Sequence, residues 1–135
     1  ANRHDMFSQM NVEGSADSID TAVPVSKVLE FYKFLKDWAK RRGVKIFGVT
    51  SWVLPENLGM DTVFKESEAE AYAAARDEAL RKALELGGTS SNCVGVGLRF
   101  PHLMREEHGP ALDVMRAIKR VLDPNNIMNP GWLSP

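Results

Sequence analysis

Apolar residues recur at helical spacing between residues 26 and 42. Val28, Phe31, Tyr32, Leu35, Trp38 and Ala39 fall on one stripe, and Lys27, Lys33, Lys36, Asp37 and Lys40 on the other side, so the pattern predicts an amphipathic helix. Lys40, Arg41 and Arg42 suit its negative C-terminal end, and Gly43 suits a left-handed cap. Before it, residues 15–23 alternate apolar and polar positions as a short strand does, and Pro24 ends the alternation. Residues 1–14 have weak periodicity, with Met6, Phe7 and Met10 able to form a short helical face. Residues 44–54, rich in Val, Ile, Phe and Trp around Gly48, predict a well buried strand. A turn over 55–59 and a second strand over 60–64 would complete an antiparallel pair.

Ser67 followed three residues later by Glu70 has the form of a capping box. The Ala-rich run after it, to Leu86, turns Tyr72, Ala79, Leu80, Ala83 and Leu84 to one side and is stopped by Gly87-Gly88. Residues 89–94 fit a short strand, and residues 100–107 and 110–122 fit two helices. Pro110 suits a first helical turn, and Pro124 restricts Asp123 enough to close the last helix. The order β-α-β-β-α-β followed by helices is the ferredoxin-like split β-α-β arrangement. The expected class is therefore α+β, with an antiparallel sheet and C-terminal helices.

Composition narrows the partners. A chain of 135 residues fits one domain with a sizeable core. A net charge of -1 supplies no basic field for nucleic acid. No apolar run approaches the ~20 residues that a membrane span needs, and the polar start Ala1-Asn2-Arg3-His4-Asp5 does not have the form of a secretory signal. One cysteine permits no internal disulfide and suits a reducing, cytoplasmic setting. The start, without an initiator Met, reads as a piece of a longer protein.

Few residues stand out chemically. The three histidines, His4, His102 and His108, lie far apart with no second ligand at metal-binding spacing, and His102 and His108 flank a charged segment expected to be solvated. Cys93 has neighbours Asn92 and Val94 and no histidine nearby, so its own pattern fits a small buried hydrophobe near a strand end. Gly95-Val96-Gly97 lacks the rest of a dinucleotide fingerprint and fits better a tight bend where a side chain would collide. Met104, Met115 and Met128 fit core filling, and Trp38, Trp52 and Trp132 fit packing. Read from the residues alone, the chain holds no complete active site.

The order of its parts nevertheless resembles the C-terminal domain of FAD-linked oxidases of the vanillyl-alcohol-oxidase type, the group holding D-lactate, glycolate and D-2-hydroxyglutarate dehydrogenases. The resemblance rests on Asp20-Thr21-Ala22-Val23-Pro24-Val25-Ser26, on Gly87-Gly88-Thr89, and most specifically on Ile118-Lys119, Leu122-Asp123-Pro124-Asn125 and Asn129-Pro130-Gly131. It implies that residues 1–135 are the second half of such a C-terminal domain. The FAD-binding domain, absent from this chain, would then be the partner, and the reaction would be hydride transfer from a 2-hydroxy acid or related alcohol to flavin. It also implies that Cys93, Val94, Gly95 and Asn129 face the cofactor, and that Arg3 clamps a substrate carboxylate, the alternative for Arg3 being a frayed terminal residue.

The chain departs from the family string after Gly-Gly-Thr. The Glu and His expected there, a metal ligand and a base, are Cys93 and Val94, and residues 49–58 hold no histidine where a second metal motif is expected. No metal is therefore expected. The catalytic residue stays unassigned, with Tyr32, Tyr72, His4 or the absent half as sources of a base. The chain alone is expected to be inactive, with an electron-acceptor protein as a further partner of the whole and homodimerisation open to the piece. Two other readings remain: a non-catalytic subunit of a redox complex from the same family, and an unrelated ferredoxin-like interaction module.

Overall fold

The computed structural model describes residues 14–51, 54, 56–93, 95–97, 99–131 and 133. Two compact units divide the chain, Ala1–Cys93 and Val94–Pro135.

The described residues of the first unit form a three-stranded antiparallel sheet with two helices. Strand β1 (Ser15–Ala22) and strand β2 (Lys45–Ser51) both pair with β3 (Asn57–Phe64), giving the order β1-β3-β2. Because each is antiparallel to β3, β1 and β2 run parallel to one another with β3 between them, as a split β-α-β requires. Among the described residues, an isolated antiparallel bridge, Ala22 to Thr89, marks the outer side of β1 where a fourth strand would lie. Of the strand predicted over 89–94, the described residues 89–93 are thus one bridge and a loop, because side chains on β1 bind this segment's backbone.

Helix α1 (Val28–Arg42) follows a 3-10 turn, Val25–Lys27. It buries Phe31, Leu35, Trp38 and Ala39 at helical spacing. Tyr32, expected on that stripe, is 37% exposed, and Lys36 lies over its ring at 5.7 Å. Gly43 takes φ 66° and donates to the Ala39 carbonyl, as a left-handed cap does.

Helix α2 (Ala69–Glu85) does not use the predicted capping box. A 3-10 turn over Glu66–Glu68, closed by Glu68 N–H to Lys65 O at 2.8 Å, draws Ser67 into the turn and puts Glu68 at the cap with no side-chain bond. Its buried positions are Tyr72, Ala75, Ala79, Leu80 and Ala83, while Leu84 is half-buried. The small residues matter. Trp38, wholly buried, donates its indole N–H to the Ala75 carbonyl at 2.8 Å, an approach that a larger residue at 75 would obstruct.

Ile19, Thr21, Met60 and Thr62 are fully or almost fully covered, and with Phe31, Leu35, Trp38 and Leu80 they make the core. The predicted deep burial of β2 is not found. Ile46, Phe47 and Val49 are half-buried, β2 being an edge strand of the described sheet, and its register shifts between Ile46 and Gly48. Trp52, Val53 and Pro55 lie outside the described residues.

The second unit holds a short helix α3 (Met104–His108) and helix α4 (Ala111–Leu122). Residues 100–103, expected inside the first of these, are turns, with Leu103 donating to Phe100 O at 3.0 Å and Met104 to Pro101 O at 3.3 Å. Pro110 sits at the N-cap of α4, and Asp123 ends it.

Candidate functional site

The Gly-Gly-Thr turn is built by the end of α2 and the last residues of β1. Gly87 takes φ 81° and donates to Leu84 O at 2.9 Å, and Gly88 donates to Ala83 O at 2.9 Å, which closes the helix. The chain then meets β1. Thr89 N–H donates to Ala22 O at 2.9 Å, and the Thr21 hydroxyl donates to Thr89 O. Ser90 is wholly buried, and the Thr89 hydroxyl donates to Ser91 O at 3.0 Å. At the far end, the Asp20 carboxylate accepts the Cys93 N–H at 2.6 Å. Beside the turn an open hollow of about 410 Å³ is lined by residues that include Pro24, Glu56 and Gly88.

This anchoring overturns the packing expectation for Cys93, which is a free thiol and exposed. With the backbone N–H held inward by buried Asp20, the side chain stands in solvent, where the Asn92 amide donates to its sulfur at 3.0 Å. Arg3, His4 and Val94 lie outside the described residues. Tyr72, a candidate base, is buried with its hydroxyl 2.6 Å from that of Thr62. Thr62 also donates to Asp17 O at 3.1 Å, and the Tyr72 phenol is hydrogen-bonded to the Asp17 carboxylate as well, so both hydroxyls are tied into one buried network. Burial, and then the nearby Asp17 charge, push the Tyr72 phenol further toward its protonated form. That is a core hydrogen bond and unsuited to a base. Tyr32 sits on the wet side of α1.

In the second unit Gly95 and Gly97 have φ 74° and 52°, with nothing within 4 Å of the place where a Cβ would stand. The bend is real. Its cause is the left-handed backbone and not the expected collision. His102 is exposed and His108 half-buried.

The C-terminal motif is organised by Asp123, which is buried. Its carboxylate accepts the N–H groups of Ile127 at 2.9 Å and Met128 at 3.0 Å, and the Lys119 ammonium bonds both this carboxylate and the Met128 carbonyl. Asn126 and Asn129 take φ 51° and 50°, a region that asparagine enters more readily than most residues. Asn129 is exposed and helps line an open hollow of about 290 Å³ with Leu122, Met128 and Leu133. The Lys119 ammonium, and then the Ile127 and Met128 amides, hold the Asp123 carboxyl below the usual carboxylate range. A lowered folded-state pKa means that the bond network is present above the ordinary carboxylate range and is lost as pH falls through the folded value. Acidification should therefore release residues 124–128, seen as lower protection of the Ile127 and Met128 amides relative to their intrinsic exchange rate at the same pH. Asp123→Asn should remove that pH dependence, and an unchanged profile in the variant would exclude Asp123 as the titrating group.

Helix α4 exposes Val114, Ile118, Val121 and Leu122, with Val121 80% exposed. Their spacing of four, seven and eight residues makes one apolar stripe. Among the described residues, no three His, Cys, Asp or Glu side chains are grouped as a metal site. No helix of the described residues is long and apolar enough to cross a membrane.

Residues 1–133 match the family model described as "FAD linked oxidases, C-terminal domain". The chain is 32% identical over 115 residues to the glycolate oxidase subunit GlcD of Bacillus subtilis (strain 168), covering 83% of this chain and 24% of that protein. It is 32% identical over 122 residues to the D-lactate dehydrogenase of Anaerostipes hadrus, covering 85% and 25%. With the mitochondrial D-lactate dehydrogenase [cytochrome] 1 of Saccharomyces cerevisiae it shares 30% identity over 135 residues, covering 93% and 22%. The chain thus spans about a quarter of the length of the relatives it matches.

Proposed function

Since this chain belongs to the C-terminal domain family of FAD-linked oxidases, we propose that it is the substrate-side domain of a flavin-dependent oxidoreductase that oxidises a 2-hydroxy acid. Two relatives are named for D-lactate and one for glycolate, both 2-hydroxy acids, and this agreement carries the proposal. Bound FAD would supply the acceptor for the hydride pair. What this chain offers is a place for the edge of the ring and for the substrate. Gly95 and Gly97 leave open space beside their Cα atoms, so a flat group can approach the backbone there. Cys93 ends a pinned loop with its side chain exposed. Asn129 is exposed on the tail that Asp123 organises. Cys93, Val94, Gly95 and Asn129 are assigned to the ring as the family likeness implies, supported, each within its own unit, by the exposure of Cys93, the open backbone at Gly95 and the exposure of Asn129. Arg3 is assigned to the substrate carboxylate, where its fork of donors matches two oxygens. A pyrophosphate needs a row of free amides or cations, and that role is assigned to the part of the protein outside this chain.

That part is also the partner of the α4 stripe. A unit as short as residues 94–135 can bury little apolar surface by itself, and a contiguous exposed stripe marks an interaction face. The relatives' additional three quarters is the surface assigned to cover it.

A second reading, a non-catalytic redox subunit of the same family, is favoured by one observation. Cys93 and Val94 bring neither carboxylate nor imidazole to the segment that follows Gly-Gly-Thr. One experiment separates the two. The full-length protein is purified and its absorbance recorded before and after adding D-lactate, glycolate and other 2-hydroxy acids. A flavin band that bleaches with one of them is the expected result. A flavin band that no acid bleaches favours the subunit, and a colourless full-length protein rejects the flavin reading. Ile118→Asp in the same protein should weaken association of this domain with the rest and lower flavin retention.

A further inference from the structure

We propose that Asp20 is a positioning residue of the flavin-facing site, acting through the backbone amide of Cys93; this rests on the function proposed above. Asp20 is on β1, 9% exposed. A carboxylate withdrawn that far from water is costly unless strong donors compensate. One such donor is the main-chain N–H of Cys93, a residue 73 positions away, in a short bond of 2.6 Å. Across the sheet Asp20 is paired with Gly59, which has no side chain to compete for that face.

Three consecutive residues of β1 hold the loop, and their roles differ. Thr21 and Ala22 bind Thr89, at the end that the closing turn of α2 already fixes. Asp20 binds Cys93, the other end. Between them lie Ser90, which is wholly buried, and the Thr89-to-Ser91 bond. Loss of Asp20 therefore frees the Cys93 end while leaving Thr89 in place. A residue needed only for the stability of the sheet would not show that asymmetry.

Asparagine keeps an oxygen acceptor and drops the charge, whereas alanine removes the acceptor. In the full-length flavoprotein, Asp20→Ala should speed amide exchange at Cys93 roughly ten- to hundredfold, the worth of a hydrogen bond to a charged group, with exchange at Met60 unchanged. Flavin reduction should show kcat lowered roughly tenfold with KM within about twofold, the pattern of an interaction that acts in the chemical step. Asp20→Asn should lie between alanine and the natural residue in both readouts. Unchanged Cys93 exchange in Asp20→Ala overturns the proposal, as does freed Cys93 with unchanged kcat. Equal acceleration at Cys93 and Met60 overturns it too, by showing a general stability role. Should the alanine variant fail to fold, Asp20→Asn decides alone, with faster Cys93 exchange and lower kcat expected and unchanged values overturning. A natural protein without flavin would reject the function proposed above, and exchange at Cys93 would still test the anchor.

Discussion

Replacing Trp38 by alanine should cost about 3–5 kcal/mol, the range for removing a fully buried large aromatic ring. Trp38 has no exposed surface, and the side chain is both the largest in the core and a hydrogen-bond donor to Ala75 O. Truncation removes ring burial against α2 and leaves a void that the Ala-rich face of that helix cannot fill, since Ala75, Ala79 and Ala83 have nothing long enough to move in. The loss is large beside the 5–15 kcal/mol typical of whole domains. Trp38→Phe should cost less, because most of the ring burial stays and only the N–H donor and part of the volume are lost. Urea unfolding followed by circular dichroism gives the number, and amide exchange at Ile19 and Met60 assigns the transition to the sheet. A loss below about 1 kcal/mol, the level of an ordinary substitution, would mean that the site collapses onto the gap and that the core does not depend on this ring.

Trp38 was legible from its helical spacing alone, as were Phe31, Leu35 and Ala39, because on a helix the apolar period reports the buried face directly. Strand composition is less informative. Residues 44–54 are more apolar than residues 57–64, yet β3 is central and β2 is at an edge. Which strand is central depends on pairing, and pairing is not encoded in either segment's own composition. The capping box failed for a local reason, since Lys65 and Glu66 open a 3-10 turn one step before Ser67 could act as the cap. Cys93 failed for a distant one. Its neighbours in sequence suggested burial, and an aspartate 73 residues earlier holds its amide inward and leaves the thiol out. The C-terminal motif was recognisable as a string of residues. Its geometry, with Asp123 gathering two amides and an ammonium, emerges only when those groups are brought together in space.

Gly88→Ala should be among the most damaging single-methyl additions in this chain, and Gly87→Ala should be far milder. The usual argument for adjacent glycines at a helix end favours the reverse, because Gly87 has the left-handed φ of 81° while Gly88 does not. Space decides otherwise. A Cβ at Gly88 would stand 2.1 Å from the Ala22 carbonyl oxygen and 2.9 Å from both Ala83 O and Val23 Cγ1. Two of these atoms are backbone, one on β1 and one on α2, so no rotamer change relieves the contact. Relief requires the end of α2 to move away from β1, which breaks the Thr89-to-Ala22 hydrogen bond and displaces the start of the loop that leads to Cys93. Overpacking against movable side chains costs about 1–3 kcal/mol. Against two backbone carbonyls the expected cost is about 3 kcal/mol or more, with the Cys93 end of the loop displaced as the turn shifts. At Gly87 the nearest atom to a new Cβ is Pro24 Cγ at 3.8 Å, an ordinary contact, so only the backbone strain of roughly 1–2 kcal/mol remains. Urea midpoints of the two variants rank them directly. If Gly87→Ala proved the more costly, the turn would be governed by its backbone angles, and the close approach of α2 to β1 at Gly88 would not be what fixes the loop.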